Sequence, residues 1–276
     1  MDITEKARTL RALHERDVLV LPNAWDPVSA ALMVRAGARA VATTSGAVAW
    51  SLGSRDGETL TRDGMMAAVH RIAAAVDVPV TADVEGGYGD VAATVRATIA
   101  AGAVGVNIED SRAENGTLRD AGEQAERVQA AREAAGLPDF VLNVRTDVFL
   151  LQVGEPAGRL DDVLARAAAY AEAGADCLFV PGLLDLKILA ELTAASPLPI
   201  NAMAGPGGPS VAELAAAGVR RISVGTAIAQ AAYGVAERAA RELLDAGTFG
   251  ALSDAPSYAD LDELLNLVVE VPSSSR

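Results

Sequence analysis

Acidic side chains close three successive short apolar runs. PVTADVE (79–85) ends in Asp83-Val84-Glu85, GVNIED (105–110) in Glu109-Asp110, and FVLNVRTD (140–147) in Arg145-Thr146-Asp147. If each run is a strand, its period of two puts Asp83 and Glu85 on one face, and likewise Arg145 and Asp147. Neighbouring strands lie about 5 Å apart, so these groups would converge on one small volume. Carboxylates with no histidine or thiolate among them make an oxygen-rich site, which suits Mg²⁺ or Mn²⁺, and a divalent ion would relieve their repulsion. The plainer alternative for any one acid is a helix cap or an ion pair with an arginine.

Arg145 follows the apolar run FVLNV, a costly place for an unpaired charge. It would clamp a substrate carboxylate, or pair with Asp147 or Glu109, and the two roles are compatible. TTSGA (43–47) puts small residues at a strand end, where Ser45 and Gly46 would let backbone N–H groups approach an anion, or simply form a tight turn. GGYGD (86–90) lacks the spacing of a phosphate-binding loop. The polar segment 111–123, SRAENGTLRDAGE, is a candidate lid over the acids or an ordinary solvated loop.

Other chemistries have little to draw on. The only histidines are His14 and His70, and the only lysines Lys6 and Lys187, all in helical-looking stretches, so a Ser-His-Asp triad or a Schiff-base lysine is disfavoured. The single cysteine, Cys177, excludes a disulfide framework or a multi-thiolate metal site within one chain and reads as a small core residue.

Eight short apolar runs, at 18–24, 40–46, 79–85, 105–110, 140–147, 177–182, 198–204 and 221–227, alternate with Ala-rich amphipathic stretches. That alternation predicts parallel strands with crossover helices and, at this strand count, an α/β fold of the (β/α)8 TIM-barrel type. RAGARA, AAGAVG, EAGADC and AAGVRR each place a glycine at a helix end before the next strand. The expected organisation is a barrel over 1–247, then a linker and short amphipathic helix over 248–276 that packs on a partner subunit.

The chain has 276 residues, of which 51% are hydrophobic and 22% charged, enough to build a buried core. A net charge of −14 disfavours nucleic acid and anionic membranes. The charged N-terminus has no signal-peptide core, and no stretch is long and apolar enough to span a membrane, so a cytoplasmic location is expected.

The motifs SGAVAWSLGSRDGE (45–58), TADVEGGYGD (81–90), GVNIEDS (105–111) and NVRTD (143–147), in this order, resemble the isocitrate lyase / phosphoenolpyruvate mutase superfamily over about residues 20–240. The resemblance implies a (β/α)8 barrel whose last helix is swapped between subunits of a homodimer or homotetramer, with Mg²⁺ and a bound 2-oxo acid. By motif position it implies Asp56, Asp83, Glu85 and Glu109 as the metal-site carboxylates and Ser45, Gly46 and Ala47 as the carboxylate-binding turn. It implies Arg145 as the substrate-binding arginine. Asp56, Glu109 and Arg145 are the candidate catalytic residues, and Asn201 is a further candidate for substrate binding.

The sequence departs from the family at three places. Asp83-Val84-Glu85 stands where the family usually has Asp-x-Asp. The lid has neither the cysteine nor the histidine of the lyases. VPGLLD after the sixth run lacks the lyases' glutamate. The expected activity is a Mg²⁺-dependent carbon–carbon lyase acting on a small 2-oxo or 2-hydroxy acid through an enolate. The alternatives are oxaloacetate decarboxylase or phosphonopyruvate hydrolase/mutase activity, and a non-catalytic 2-oxo acid binding protein.

Overall fold

A computed structural model describes residues 1–15, 17–113 and 115–266. In chain order the elements are α1 (Ile3–Glu15), β1 (Leu19–Leu21), β2 (Asn23–Ala24), α2 (Pro27–Arg35), β3 (Val41–Thr43), α3 (Ser45–Ser51), α4 (Arg62–Ala74), β4 (Val80–Asp83), α5 (Val91–Ala100) and β5 (Gly105–Glu109). They continue with α6 (Ala121–Ala135), β6 (Val141–Arg145), α7 (Arg159–Glu172), β7 (Cys177–Phe179), α8 (Leu186–Ala195), β8 (Ile200–Met203), α9 (Val211–Ala216), β9 (Arg221–Ser223), α10 (Ala227–Asp245) and α11 (Tyr258–Asn266).

Each of the eight apolar runs forms a strand, the first divided at Pro22 into β1 and β2. All pairings among the nine described strands are parallel, in the order β1-β9-β8-β7-β6-β5-β4-β3-β2. Because β1 and β2 are halves of one chain pass, the two sheet edges meet and the barrel is nearly closed, the TIM-type architecture. Helices cover the outside, so the strands are buried on both faces, which is why they read as near-continuous apolar runs. The main core lies between sheet and helices, with Phe140, Leu142, Ile108 and Leu178 fully buried.

The repeated glycines do what their spacing implies. Gly37, Gly102, Gly174 and Gly218 take left-handed φ values of 102°, 95°, 96° and 91°, ending helices ahead of β3, β5, β7 and β9. The echo therefore falls on alternate strands. β4 and β8 are entered through Pro79 and Pro199 instead.

Helix α1 closes the end of the barrel where the strands begin. Its Ala7, Leu10 and Leu13 pack with Leu19, Ala40, Val104 and Val141 in a second apolar cluster. At the C-terminal end the chain leaves the barrel: in α10 only Ala229 is fully buried, and Tyr233, Leu243 and Leu244 are exposed. Helix α11 returns against α2 of the same chain. The last part of the expected 248–276 segment, 267–276, lies outside the described residues. Among the described residues no helix is long and apolar enough to cross a membrane.

Candidate functional site

The C-terminal ends of the strands surround a cavity of about 170 Å³, lined by Ser45, Asp56, Asp83, Asn107, Arg145 and Arg221 among others. This is small beside the ~300–1,000 Å³ of drug-sized pockets and fits a metabolite of few atoms. Wider clefts of about 470 and 460 Å³, one beside Glu58–Asp63 and one along α8 and α9, are open grooves that lie away from the strand ends carrying Asp83 and Arg145.

Asp83 is the last residue of β4. Its backbone N–H donates to Thr43 Oγ1 at 2.9 Å, and its Oδ2 accepts from the backbone N–H of Ser45 at 3.2 Å. Burial pushes its carboxyl above the usual range; Arg145 and the Ser45 N–H pull the other way, and Asp56 adds repulsion. Asp56 comes from the segment between α3 and α4. An added Cβ at Gly46 would meet its Oδ2 at 3.3 Å and Thr226 Cγ2 at 3.1 Å, so glycine at 46 is what lets these groups approach. The 43–47 run, expected as an anion-accepting turn, instead leads through the N-cap Thr44 into the short helix α3. Ser45 and Gly46 are its opening residues, with their N–H groups at the end facing the cavity.

Glu85 does not share a face with Asp83. The strand stops at Asp83, and Glu85 takes φ +51°, which breaks the period of two and turns its side chain aside. The Glu85 carboxylate is buried away from the cavity lining. It accepts from the backbone N–H of Gly57 at 2.9 Å, from that of Glu58, and from the Tyr88 hydroxyl at 2.7 Å. It thereby ties the Asp56 segment to the β4–α5 loop. Tyr88 N–H in turn donates to Glu58 Oε1 at 2.8 Å.

Glu109 and Arg145 are register partners on β5 and β6. Arg145 Nη1 lies 2.9 Å from Glu109 Oε2, and its Nε 2.6 Å from Asp147 Oδ1; the guanidinium also stands 5.8 Å from the Phe179 ring centroid. Ser111 donates to Glu109 Oε1 at 2.7 Å. Burial pushes Glu109 up to about 8, with Arg145 opposing and Asp147 and Asp83 adding. Burial works against Arg145's charge, yet Glu109 and Asp147 outweigh it and hold the group above its ordinary value. Arg145 is therefore paired with both acids while it also lines the cavity. Asp110 faces outward and is fully buried, accepting from Arg166 and Tyr170 of α7, each at 2.9 Å, and from the Asp147 N–H at 3.0 Å.

Asn201, Gly46 and Ala47 are buried beside the cavity without lining it. Arg221, which the sequence reading missed, is a buried cation at the cavity wall. The only sequence signal for it is the charge opening the run RISVG. Ser111 and Leu118 form a bridge, and Arg112 N–H donates to Thr117 O at 2.8 Å. Cys177 is fully buried at the start of β7, and burial pushes its thiol up to about 12.

Among the described residues no three of His, Cys, Asp and Glu stand close enough to enclose a metal ion. Mg²⁺, however, commonly binds through one or two carboxylates, with water and substrate oxygens completing its shell. Asp83 and Asp56, which repel each other across the same cavity, fit that mode.

The chain matches the phosphoenolpyruvate phosphomutase family over residues 10–244. It is 36% identical over 235 residues to the uncharacterized protein Rv1998c of Mycobacterium tuberculosis (strain H37Rv), covering 84% of this chain and 88% of that one. It is 32% identical over 203 residues to 2-methylisocitrate lyase of Escherichia coli K12, covering 69% and 67%. A crystal structure from Burkholderia cenocepacia J2315, provisionally designated a phosphonomutase, superposes with a TM-score of 0.83 at 47% identity over 86% of this chain and 99% of that one. Oxaloacetate acetylhydrolase in complex with its product oxalate superposes with a TM-score of 0.86 at 26% identity, over 97% and 96%. The chain belongs to the phosphoenolpyruvate mutase / isocitrate lyase superfamily, whose members are lyases and mutases.

Proposed function

We propose that the chain is a Mg²⁺-dependent lyase that breaks a carbon–carbon bond in a small 2-oxo or 2-hydroxy carboxylic acid by way of an enolate. The observation that carries the reading is the meeting of Asp83, Asp56, Arg145 and the opening of α3 at one small cavity on the C-terminal face of the barrel. Asp83 and Asp56 would hold the ion, Mg²⁺ or Mn²⁺. When bound, it supplies positive charge against the oxyanion that develops on carbon 2. Glu109 and Glu85 bear on this set at one remove, Glu109 through Arg145 and Glu85 through the segment that carries Asp56. In the Ser45–Ala47 turn the Ser45 N–H holds Asp83, and the N–H groups of Gly46 and Ala47 would orient the substrate carboxylate. Arg145, fixed by two acids, would present its remaining edge to developing charge, and Asn201 would support the substrate from below. The protein would work in the cytoplasm as a homodimer or homotetramer, with its C-terminal segment packed on a partner subunit.

Segment 111–118 offers neither a cysteine nor a histidine as proton donor, which favours decarboxylation of oxaloacetate or cleavage of a carbon–phosphorus bond as the second reading. An NMR turnover screen with Mg²⁺ on 2-methylisocitrate, isocitrate, oxaloacetate and phosphonopyruvate, with Asp83→Ala as control, decides between them. One substrate consumed by the wild type and spared by the variant supports the mechanism and identifies the bond. Binding of 2-oxo acids with no turnover of any would leave a binding protein.

A further inference from the structure

Helix α7 lies outside the barrel, yet two of its side chains reach the strand ends. Arg166 and Tyr170 are four positions apart and so share a face of the helix. Both are buried, and both donate to Oδ2 of Asp110 at 2.9 Å. Oδ1 of the same carboxylate accepts from the backbone N–H of Asp147 at 3.0 Å. The Asp110 backbone is fixed as well: its N–H donates to Arg145 O at 3.1 Å, and its carbonyl accepts from Arg119 N–H at 2.8 Å. Arg166 Nη1 also donates to Arg119 O at 2.9 Å. One buried acid thus ties together the ends of β5 and β6, the chain entering α6, and α7.

This junction holds Asp147, and Asp147 holds Arg145. The Asp147 oxygens accept from Arg145 Nε at 2.6 Å and Nη2 at 3.0 Å, a two-pronged pairing that fixes the plane of the guanidinium. Glu109, the chain neighbour of Asp110, stands 2.9 Å from Nη1. Asp147 takes two of the N–H donors of the group, and the side chain still lines the cavity. A buried ion pair adds little stability over apolar residues of the same volume, so folding alone gives no reason for an acid, an arginine and a tyrosine to meet here. Direction gives one, because a rigid planar fork matches a carboxylate only when it is correctly aimed.

We propose that Asp110, Arg166 and Tyr170 are positioning residues for the substrate carboxylate: they hold Asp147, and through it the plane in which Arg145 presents its remaining N–H groups to the cavity. This deepens the 2-oxo acid reading and rests on it. None of the three lines the cavity, so they act through Arg145 and not on the substrate.

The test compares wild type with three variants. Asp110→Asn removes the charge that gathers the donors. Tyr170→Phe removes one donor and leaves Arg166 in place, so it decides alone if circular dichroism shows that Asp110→Asn is unfolded. Val163→Ala truncates a buried residue of the same helix and keeps every member of the cluster. Hydrogen exchange at the Arg145 Nε–H, whose NMR signal is identified by its loss in Arg145→Lys, reports the pairing with Asp147. Calorimetric titration of the Mg²⁺-loaded protein with oxalate reports carboxylate binding, and Mn²⁺ affinity by electron paramagnetic resonance reports the metal ligands. Asp110→Asn is expected to quicken Nε–H exchange and to weaken oxalate binding, each by about tenfold, with Mn²⁺ affinity held within about twofold. Tyr170→Phe is expected to move the same two readouts by about threefold, and Val163→Ala neither of them by more than about twofold. Unchanged exchange, faster exchange with unchanged oxalate binding, equal losses of oxalate and Mn²⁺ affinity, or the same losses in Val163→Ala would overturn the proposal and leave the 2-oxo acid reading in place. A wild type that binds neither oxalate nor pyruvate would overturn that reading, and the proposal with it.

Discussion

Arg145 Nη1 stands 2.9 Å from Glu109 Oε2 across the β5–β6 pairing, and the same guanidinium is closed on its other side by Asp147. Replacing it leaves the buried Asp147 carboxylate without its cation. Arg145→Met is expected to cost about 3–5 kcal/mol in urea unfolding, the magnitude for breaking one side of a buried ion pair. Arg145→Lys, which keeps the charge but not the fork, is expected to cost less. A loss below about 1 kcal/mol in the Met variant would mean that the pairs are effectively solvated.

Glu109 gives the metal-free protein a pH dependence. Its carboxyl is raised from 4.5 to about 8, chiefly by burial, so the folded chain holds a proton that the unfolded chain releases. The contribution is complete below pH 4.5 and is lost as pH rises through 8. Urea unfolding of metal-free protein at about pH 6 and pH 8.5 is expected to show the wild type losing stability relative to Glu109→Gln, which cannot ionise. A constant difference between the two proteins would refute it.

Gly46→Ala is expected to separate metal binding from folding. The new Cβ would press on Asp56 Oδ2 and Thr226 Cγ2 from 3.3 and 3.1 Å, and the carboxylate is the freer of the two to move. Mn²⁺ affinity, read by electron paramagnetic resonance, is expected to fall about 10- to 100-fold, the usual effect of disturbing a group that orients a metal ligand. Overpacking itself is expected to cost ~1–3 kcal/mol of stability.

Glu85→Gln is expected to loosen the segment that carries Asp56. Two backbone N–H groups and Tyr88 lose an anionic acceptor, so amide exchange at Gly57 and Glu58 is expected to quicken by about tenfold or more. Mg²⁺ affinity is expected to fall less than in Asp83→Ala. Equal losses of metal affinity with unchanged exchange would return Glu85 to the metal set itself.

The barrel was legible because each strand is an unbroken apolar run and four glycines mark alternate strand entries; these are local signals. Asp83 and Arg145 were legible from residue type and position, Asp56 only through the family resemblance, and the three meet at one cavity. What escaped the sequence was direction. Nothing in DVEGG announces that the strand stops at Asp83 and that Glu85 turns away through a left-handed φ. SGAVAWS carries too little periodicity to mark α3 as a helix. Arg221 meets His14, 207 positions away, only because the sheet closes, and Asp110 meets Arg166 and Tyr170 across 56 and 60 positions, separations no motif spans.

The sealed thiol of Cys177 has a practical corollary. With its sulfur fully buried and its thiolate suppressed, a water-soluble disulfide reagent gains access only when β7 opens, so the rate of colour release counts unfolding excursions of the barrel. As it is the single cysteine of the chain, the signal has one origin. Any small molecule that binds the closed barrel and not the open one slows labelling by the factor 1 + [L]/Kd, about tenfold for each tenfold rise in its concentration well above the dissociation constant. The molecule thus carries an internal reporter able to rank candidate metals and acids before any reaction product has been detected.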